Sequence, residues 1–395
     1  MVSPLLHRSS EENARPVCGA RDRAGQPRST IGSGRGPTPG YSAAAMTSPA
    51  SPDGPLPPPD RPRVLALLDG LAGSNSQTRG VVQALGLPAL DCPLAYRREW
   101  PWQRAVGHVR ITLESEERLV NAPPPALVVS TGRRAGAVAR GLAGFYRRRD
   151  GWAPRLVHVQ DPRFGHDDFD LIAVPDHDRA LETLRARSNV LVVTGAPHPL
   201  TVDRLDAAAQ DWRARVETLP RPWIAVLVGG DSGRRRLDGT VAAALVRQAG
   251  ALAARAGGSL LVTTSRRTRP DAVTALRRGL AEGGAPHLLL PWTEDPAENP
   301  YLGFLGLADA TVVTGDSMSM LTEATTTARP LYVFAPEGWA RGPHARFHAS
   351  LVQAGAARPL TDDTPWQDWR GAPLNPAADI ARAARALLDG SRAGA

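Results

Sequence analysis

Past residue 62 the chain alternates short apolar runs with longer stretches of helical period. Residues 64–68, 126–129, 156–159, 171–174 and 190–193 form a first set of runs. Residues 223–228, 260–262, 287–290, 311–313 and 331–334 form a second. Each run is four to six residues or shorter and apolar at consecutive positions, so it predicts a strand covered on both faces. Helical periods lie between many of them, at 135–148, 239–256, 270–282 and 317–327. Strands alternating with helices predict βαβ units and parallel sheets. A polar–apolar stretch at 202–219, closed by Pro220 and Pro222, predicts a bridging helix and linker. These patterns predict an α/β chain of two doubly wound, Rossmann-like halves at 63–220 and 221–376. A last helix near 377–388 is expected to pack back across the first half.

Residues 1–62 carry no apolar period. They are rich in Pro, Gly, Ser and Arg, and the stretch SPASPDGPLPPPDRP at 48–62 suits neither helix nor ladder. They are expected to form a disordered extension, with Met46 as an alternative start. The extension lacks the apolar stretch of a secretory signal.

Composition narrows the function classes. The chain has 395 residues, enough for two domains, and 42% of them are apolar. The formal charge is +8, yet all 47 basic residues are Arg and they are interspersed with Asp and Glu. That pattern, with abundant Ala, Gly and Pro, points to GC-biased coding rather than a nucleic-acid surface. Without Lys there is no Schiff-base chemistry and no Walker A motif. The two cysteines, Cys18 and Cys92, allow no zinc set and no disulfide framework, which fits a reducing, cytoplasmic setting. Trp100-Pro101-Trp102, flanked by Arg97, Arg98 and Arg104, reads as packing under a loop or as a peripheral contact with an anionic membrane face.

In open α/β sheets the chemistry lies beyond the carboxyl ends of the strands, where helix N-termini offer free amides. The first predicted strand is followed by Asp69, Gly70, Gly73, Ser74 and Gln77, with Ser74, Asn75 or Ser76 able to cap the next helix. The loop reads equally as an ordinary turn. The third run is followed by Gln160 and Asp161, with His158 on the strand itself facing either core or cleft. The fifth is followed by His198. In the second half, Gly229, Gly230 and Ser232 precede a basic stretch that includes Arg234. Thr264, Ser265, Arg266 and Arg267 follow the next strand, and Asp316, Ser317, Ser319 and Glu323 follow the fourth. Hydroxyls, glycine amides and guanidiniums suit a diphosphate. A glutamate two turns into a helix can accept two ribose hydroxyls, or can simply face solvent.

At 307–336 (LADATVVTGDSMSMLTEATTTARPLYVFAP) the chain resembles the donor-site segment of GT-B glycosyltransferases. More closely, 63–388 is similar to the mitochondrial-fission "elongated mitochondria" family. The markers fall in order: Asp69-Gly70 with Ala72-Gly73-Ser74 and Gln77; Val157 to Pro162; Gly195-Ala196-Pro197-His198; Gly229-Gly230; Thr264 to Thr268; Asn299-Pro300-Tyr301; and Thr314 to Ser317. The resemblance implies two GT-B-like halves facing across a cleft. It implies a nucleoside diphosphate sugar held by the second-half residues, with Glu323 on the ribose. Asp161 or His198 would then act as base toward a lipid or saccharide acceptor, beside an acceptor-side loop of Asp69, Gly70, Gly73, Ser74, Gln77 and Gln160. It implies no resident cofactor and no metal, because amides and Arg neutralise the leaving diphosphate. Lipid II-forming members carry a His where this chain has Ser74. Plant members of the fission family are adaptors, so a non-catalytic binding protein on the same fold is the alternative.

Overall fold

The computed structural model describes residues 64–98, 109–233 and 235–390. The predicted extension, Cys18, the Trp100–Trp102 pair with Arg104, and Arg234 lie outside the described residues.

The first sheet begins with β1 (Val64–Leu68), buried at all five positions. Helix α1 (Ala72–Leu85) follows and ends at Gly86, whose φ of 57° is the left-handed cap that glycine adopts without strain. Strand β2 (Ala89–Pro93) is an edge on which only Cys92 is buried. Then come α2 (Leu113–Asn121), capped by the Thr112 hydroxyl, β3 (Leu127–Thr131) and α3 (Arg133–Asp150). Strands β4 (Arg155–Val159) and β5 (Leu171–Pro175), the single-turn helix α4 (Leu181–Leu184) and β6 (Val190–Val193) complete the unit. All pairings are parallel, in the order β2-β1-β3-β4-β5-β6.

Helix α5 (Val202–Arg213) leads to the second sheet. It does not stand free as a bridge. Leu205, Ala209 and Trp212 join the core of the second half, with Phe304 and Leu305. The close approach depends on Gly303 and Gly306, where a Cβ would collide with the Trp212 ring and the Leu205 carbonyl.

The second sheet contains β7 (Trp223–Leu227), β8 (Ser259–Thr263), β9 (His287–Leu290), β10 (Ala310–Thr314), β11 (Leu331–Phe334) and the two-residue β12 (Arg358–Pro359). Its order is β12-β11-β10-β7-β8-β9, again parallel. Between the strands run α6 (Gly239–Ala256), α7 (Pro270–Gly283), α8 (Tyr301–Leu307), α9 (Met318–Thr325) and α10 (Pro343–Gln353). Helix α11 (Pro376–Leu388) closes the described chain. Its Ile380, Ala381, Ala384 and Leu388 enter the first-half core beside Val81 and Leu85.

Helices cover both faces of each sheet, which is why β1, β3, β5, β7, β8 and β10 have no exposed position. The chain is α/β with two doubly wound parallel sheets in series, the GT-B-like class that the motif order implied. In each sheet the connection reverses direction once. The reversals fall between β1 and β3 in the first, and between β7 and β10 in the second. Loops leave adjacent strands there in opposite directions and open a crevice.

Candidate functional site

The first crevice is built from the loops after β1 and β3. Asp69 is buried, and its Oδ1 accepts the Leu71 amide at 2.9 Å, closing a tight turn. Gly70 holds φ 83° in that turn. Helix α1 starts at Ala72, with Leu71 as an exposed N-cap that offers no side-chain acceptor. Ser74, Asn75 and Ser76 therefore lie inside the helix rather than capping it, because the Asp69 turn places the N-cap at Leu71, three residues before Ser74. Gln77 accepts a hydrogen bond from Gln160 Nε2 at 3.2 Å, and Thr78 pairs with Thr131 at 2.8 Å. These contacts link α1 to the loop after β4 and to the end of β3. Gly73 has nothing near its missing side chain.

Asp161 sits in a sharply folded loop in which Gln160 (φ 76°) and Arg163 (φ 71°) are both left-handed. Its Oδ1 accepts the Arg163 amide at 2.8 Å and lies 2.9 Å from His166 Nε2. His158 faces the core. It is fully buried, with Nδ1 2.8 Å from the Ser130 hydroxyl and the ring 5.0 Å from that of Phe169. Burial pushes its pKa down to about 3, which keeps it neutral.

His198 lies at the seam between the halves. Its Nδ1 accepts the Leu200 amide at 3.3 Å, so the remaining hydrogen of the neutral ring is on Nε2. Burial lowers its pKa to about 4. The same loop meets the second half directly: the Ala196 amide donates to the Thr322 hydroxyl at 3.1 Å. A parallel contact joins α10 to the loop after β5, where Arg346 donates twice to the His177 carbonyl at 3.0 and 2.7 Å. The His177 ring lies 4.9 Å from that of Phe347. Neither seam contact was visible in the sequence, since each pairs a loop with a helix more than a hundred residues away.

The second crevice lies between the loops after β7 and β10. The Gly229 amide donates to Thr314 Oγ1 at 2.7 Å, and the Gly230 amide to Asp316 Oδ2 at 2.9 Å. Both positions require glycine. A Cβ on Gly229 would collide with the Asp316 carboxylate, and one on Gly230 with the Arg267 carbonyl. The β8 loop closes the wall. Ser265 Oγ donates to the Gly229 carbonyl at 2.9 Å, and Thr264 Oγ1 accepts the Trp292 amide at 2.8 Å. Arg267 reaches Asp316 Oδ2 at 3.0 Å and the Asp231 carbonyl at 2.8 Å. Arg266 is exposed. Ser232 lies in a turn, with its amide bound to the Arg235 carbonyl at 3.1 Å.

Helix α9 opens at this crevice. Ser317 is its N-cap and accepts the Met320 amide at 3.4 Å. Ser319 falls in the first turn. Glu323 lies near the end of the second turn, half-buried, and its Oε2 accepts the Tyr301 hydroxyl. Burial raises the pKa of Glu323, opposed by the hydrogen bond from Tyr301 and by Arg204. Burial and the adjacent carboxylate together push Tyr301 well above its ordinary value. Behind the β10 loop, His344 Nε2 donates to the Asp316 carbonyl at 3.2 Å, and its Nδ1 accepts from Arg235 at 2.9 Å. Burial and the Arg235 charge lower its pKa to about 4. Among the described residues no cluster of His, Cys, Asp or Glu could hold a metal, and no helix is long and apolar enough to cross a membrane.

The structure therefore gathers Gly229, Gly230, Ser265, Arg267, Asp316 and Ser317 at one switch point. It gathers Asp69, Gly70 and Ser74 at the other, linked through Gln77 to Gln160. Tyr301 belongs with Glu323; its motif was legible in the sequence, but its partner was not.

Comparison with known proteins gives the chain its family. The family model described as "Mitochondrial fission ELM1" matches residues 72–388. Mitochondrial fission protein ELM1 of Arabidopsis thaliana is 28% identical over 283 residues, covering 67% of this chain and 64% of that protein. The matched part thus spans less than two thirds of the plant relative's length. An uncharacterised protein, RP120, of Rickettsia prowazekii (strain Madrid E) is 23% identical over 301 residues, covering 69% of this chain and 82% of that one. Among solved structures, the UDP-GlcNAc 2-epimerase of Methanocaldococcus jannaschii aligns over 83% of this chain and 100% of its own, at TM-score 0.45 and 12% identity. MurG of Acinetobacter baumannii aligns over 83% and 91%, at 0.41 and 15%. With the family model spanning most of the chain, the protein belongs to the mitochondrial fission ELM1 family.

Proposed function

We propose that the protein binds a nucleoside diphosphate sugar in the crevice between β7 and β10 and transfers the sugar in the manner of a GT-B glycosyltransferase. The observation that carries this reading is the convergence at one switch point of the Gly229–Gly230 loop and the first turn of α9, the helix that carries Glu323 one turn further on. The first turn of α9, with Ser317 and Ser319, offers amides and a positive dipole end to phosphate. Glu323, oriented by the Tyr301 hydroxyl, would accept the ribose hydroxyls. Thr264, Ser265, Arg266 and Arg267 would flank the phosphates, and no metal is needed where amides and guanidiniums neutralise the leaving group. The acceptor, a lipid or saccharide, would enter over Asp69, Gly70, Gly73 and Ser74, with Asp161 or His198 as base.

A second reading has its own observation. Asp161 is engaged by the Arg163 amide and His166, and the Nδ1 lone pair of His198 by a backbone amide. A protein that keeps the fold and the pocket as an adaptor, without turnover, accounts for bases held in this way. Equilibrium dialysis against labelled UDP-, GDP-, ADP- and TDP-sugars, followed by product analysis, separates the two. Binding with slow hydrolysis or transfer, with donor binding abolished in Glu323→Ala, supports the enzyme. Binding without turnover supports the adaptor. No binding of any donor ends both nucleotide readings.

A further inference from the structure

The anion cradle of the second crevice already contains an anion. The Asp316 side chain is completely buried, with no solvent-exposed area. Its Oδ2 takes the Gly230 amide at 2.9 Å and an Arg267 guanidinium nitrogen at 3.0 Å. Its Oδ1 is buried without a partner. The glycine at 229 makes room for this carboxylate, since a Cβ there would strike both of its oxygens. These are the groups that a phosphate at a switch point uses: a glycine-loop amide and a planar guanidinium.

The other cations of the same walls are similarly committed. Arg235 is spent on His344. Arg236 bonds Asp231 at 2.7 Å, and Arg269 bonds Asp271 at 2.9 Å. Among the described arginines of the β7 and β8 loops, Arg266 alone is exposed with no contact of this kind. A diphosphate entering the cradle would meet a buried carboxylate before a free positive charge, and like charges at contact distance disfavour each other.

We propose that Asp316 is an internal competitor for the ligand's phosphates, holding the Gly230 amide and the Arg267 guanidinium so that a diphosphate binds there only by displacing it. Asp316 is then a specificity-determining residue that weakens binding of free nucleoside diphosphate and pyrophosphate. The proposal rests on the nucleotide-sugar reading only for the class of ligand that enters the crevice.

The test is calorimetric titration of the full chain with UDP and, separately, with inorganic pyrophosphate. The variants are Asp316→Asn, Asp316→Ser, Arg267→Met and the Asp316→Asn/Arg267→Met pair, each checked for fold by circular dichroism. The expected result is at least tenfold tighter pyrophosphate and UDP binding in both Asp316 variants. Arg267→Met should remove most of the gain when combined with Asp316→Asn, a non-additivity that marks shared partners. Equal or weaker binding in the Asp316 variants, absence of binding in every variant, or a full gain retained in the Asp316→Asn/Arg267→Met pair would each overturn the proposal. Asp316→Asn keeps the size of the side chain and an oxygen for the Gly230 amide, so it decides the matter where Asp316→Ser folds poorly. A native chain that binds UDP tightly, with Asp316→Asn no better, would sink this inference and leave the nucleotide reading intact. A gain for pyrophosphate without any preference for UDP would do the reverse.

Discussion

The two crevices occupy equivalent positions in their sheets but are built on opposite plans. In the first, α1 and α3 both begin without a side-chain cap, and the first turn of α3 carries Arg133 and Arg134. Its one buried carboxylate, Asp69, turns back onto its own loop through the Leu71 amide. In the second, α6 is capped by Asp238 and α9 by Ser317. Its buried carboxylate reaches across two loops to Gly230 and Arg267. A glycine-rich strand end is therefore not in itself an open anion site. What matters is whether the chain has already supplied the acceptor. The second crevice is pre-organised and internally neutralised, whereas the first leaves helix-start amides to whatever binds.

The glycines of the two crevices carry the largest expected effects. Gly230→Ala should destabilise the protein by about 3 kcal/mol, since the new methyl meets the Arg267 backbone carbonyl rather than a side chain that can move. Gly73→Ala at the first crevice, in open space within a helical turn, should instead stabilise it by about 0.5–1 kcal/mol through helix propensity and the unfolded chain. Urea unfolding of the two variants reads both signs; equal losses would erase the contrast.

An intermediate effect concerns pH. His158 in the first half and His198 and His344 toward the second have folded pKa values lowered to between about 3 and about 4, against an ordinary 6.5. The unfolded chain therefore binds protons that the native chain refuses. Stability is full above pH 6.5 and falls as pH drops from 6.5 toward 4. Urea midpoints measured across that window should decline, and His158→Phe should flatten part of the slope. A midpoint independent of pH there would contradict the burial of these rings.

The smallest effect lies at the helix starts. Leu71 is extended, 56% exposed and caps nothing, so Leu71→Ser should gain about 1 kcal/mol, while Ser317→Ala should lose a similar amount. Thermal melting resolves both, and a loss from Leu71→Ser would mean that the exposed leucine has another role.

How much of this was legible follows from burial and from sequence distance. Strands β1, β7, β8 and β10 read as unbroken apolar runs because helices cover both their faces. Strand β2, Ala-Leu-Asp-Cys-Pro, escaped notice because it is an edge with one buried side chain. Strand β12 is two exposed residues, Arg358 and Pro359. Helix α10 opens on Gly342-Pro343 and buries only Phe347 and Leu351, too few to set a period. The glycine and hydroxyl loops of the site were legible because they follow strands. Their pairings were not. Asp316 finds Gly230 across 86 residues, and Glu323 finds Tyr301 on a different helix. Nothing local marks which carboxylate turns to the ligand and which turns to the chain.

The proposed function requires the second crevice to hold a nucleotide sugar. Thermal unfolding of residues 46–395 against UDP-, GDP-, ADP- and TDP-sugars tests it most directly, because a ligand bound only by the folded state must raise the melting temperature. A clear rise with one nucleotide class, lost in Glu323→Ala, is expected. An unchanged melting temperature with every donor at millimolar concentration would contradict it.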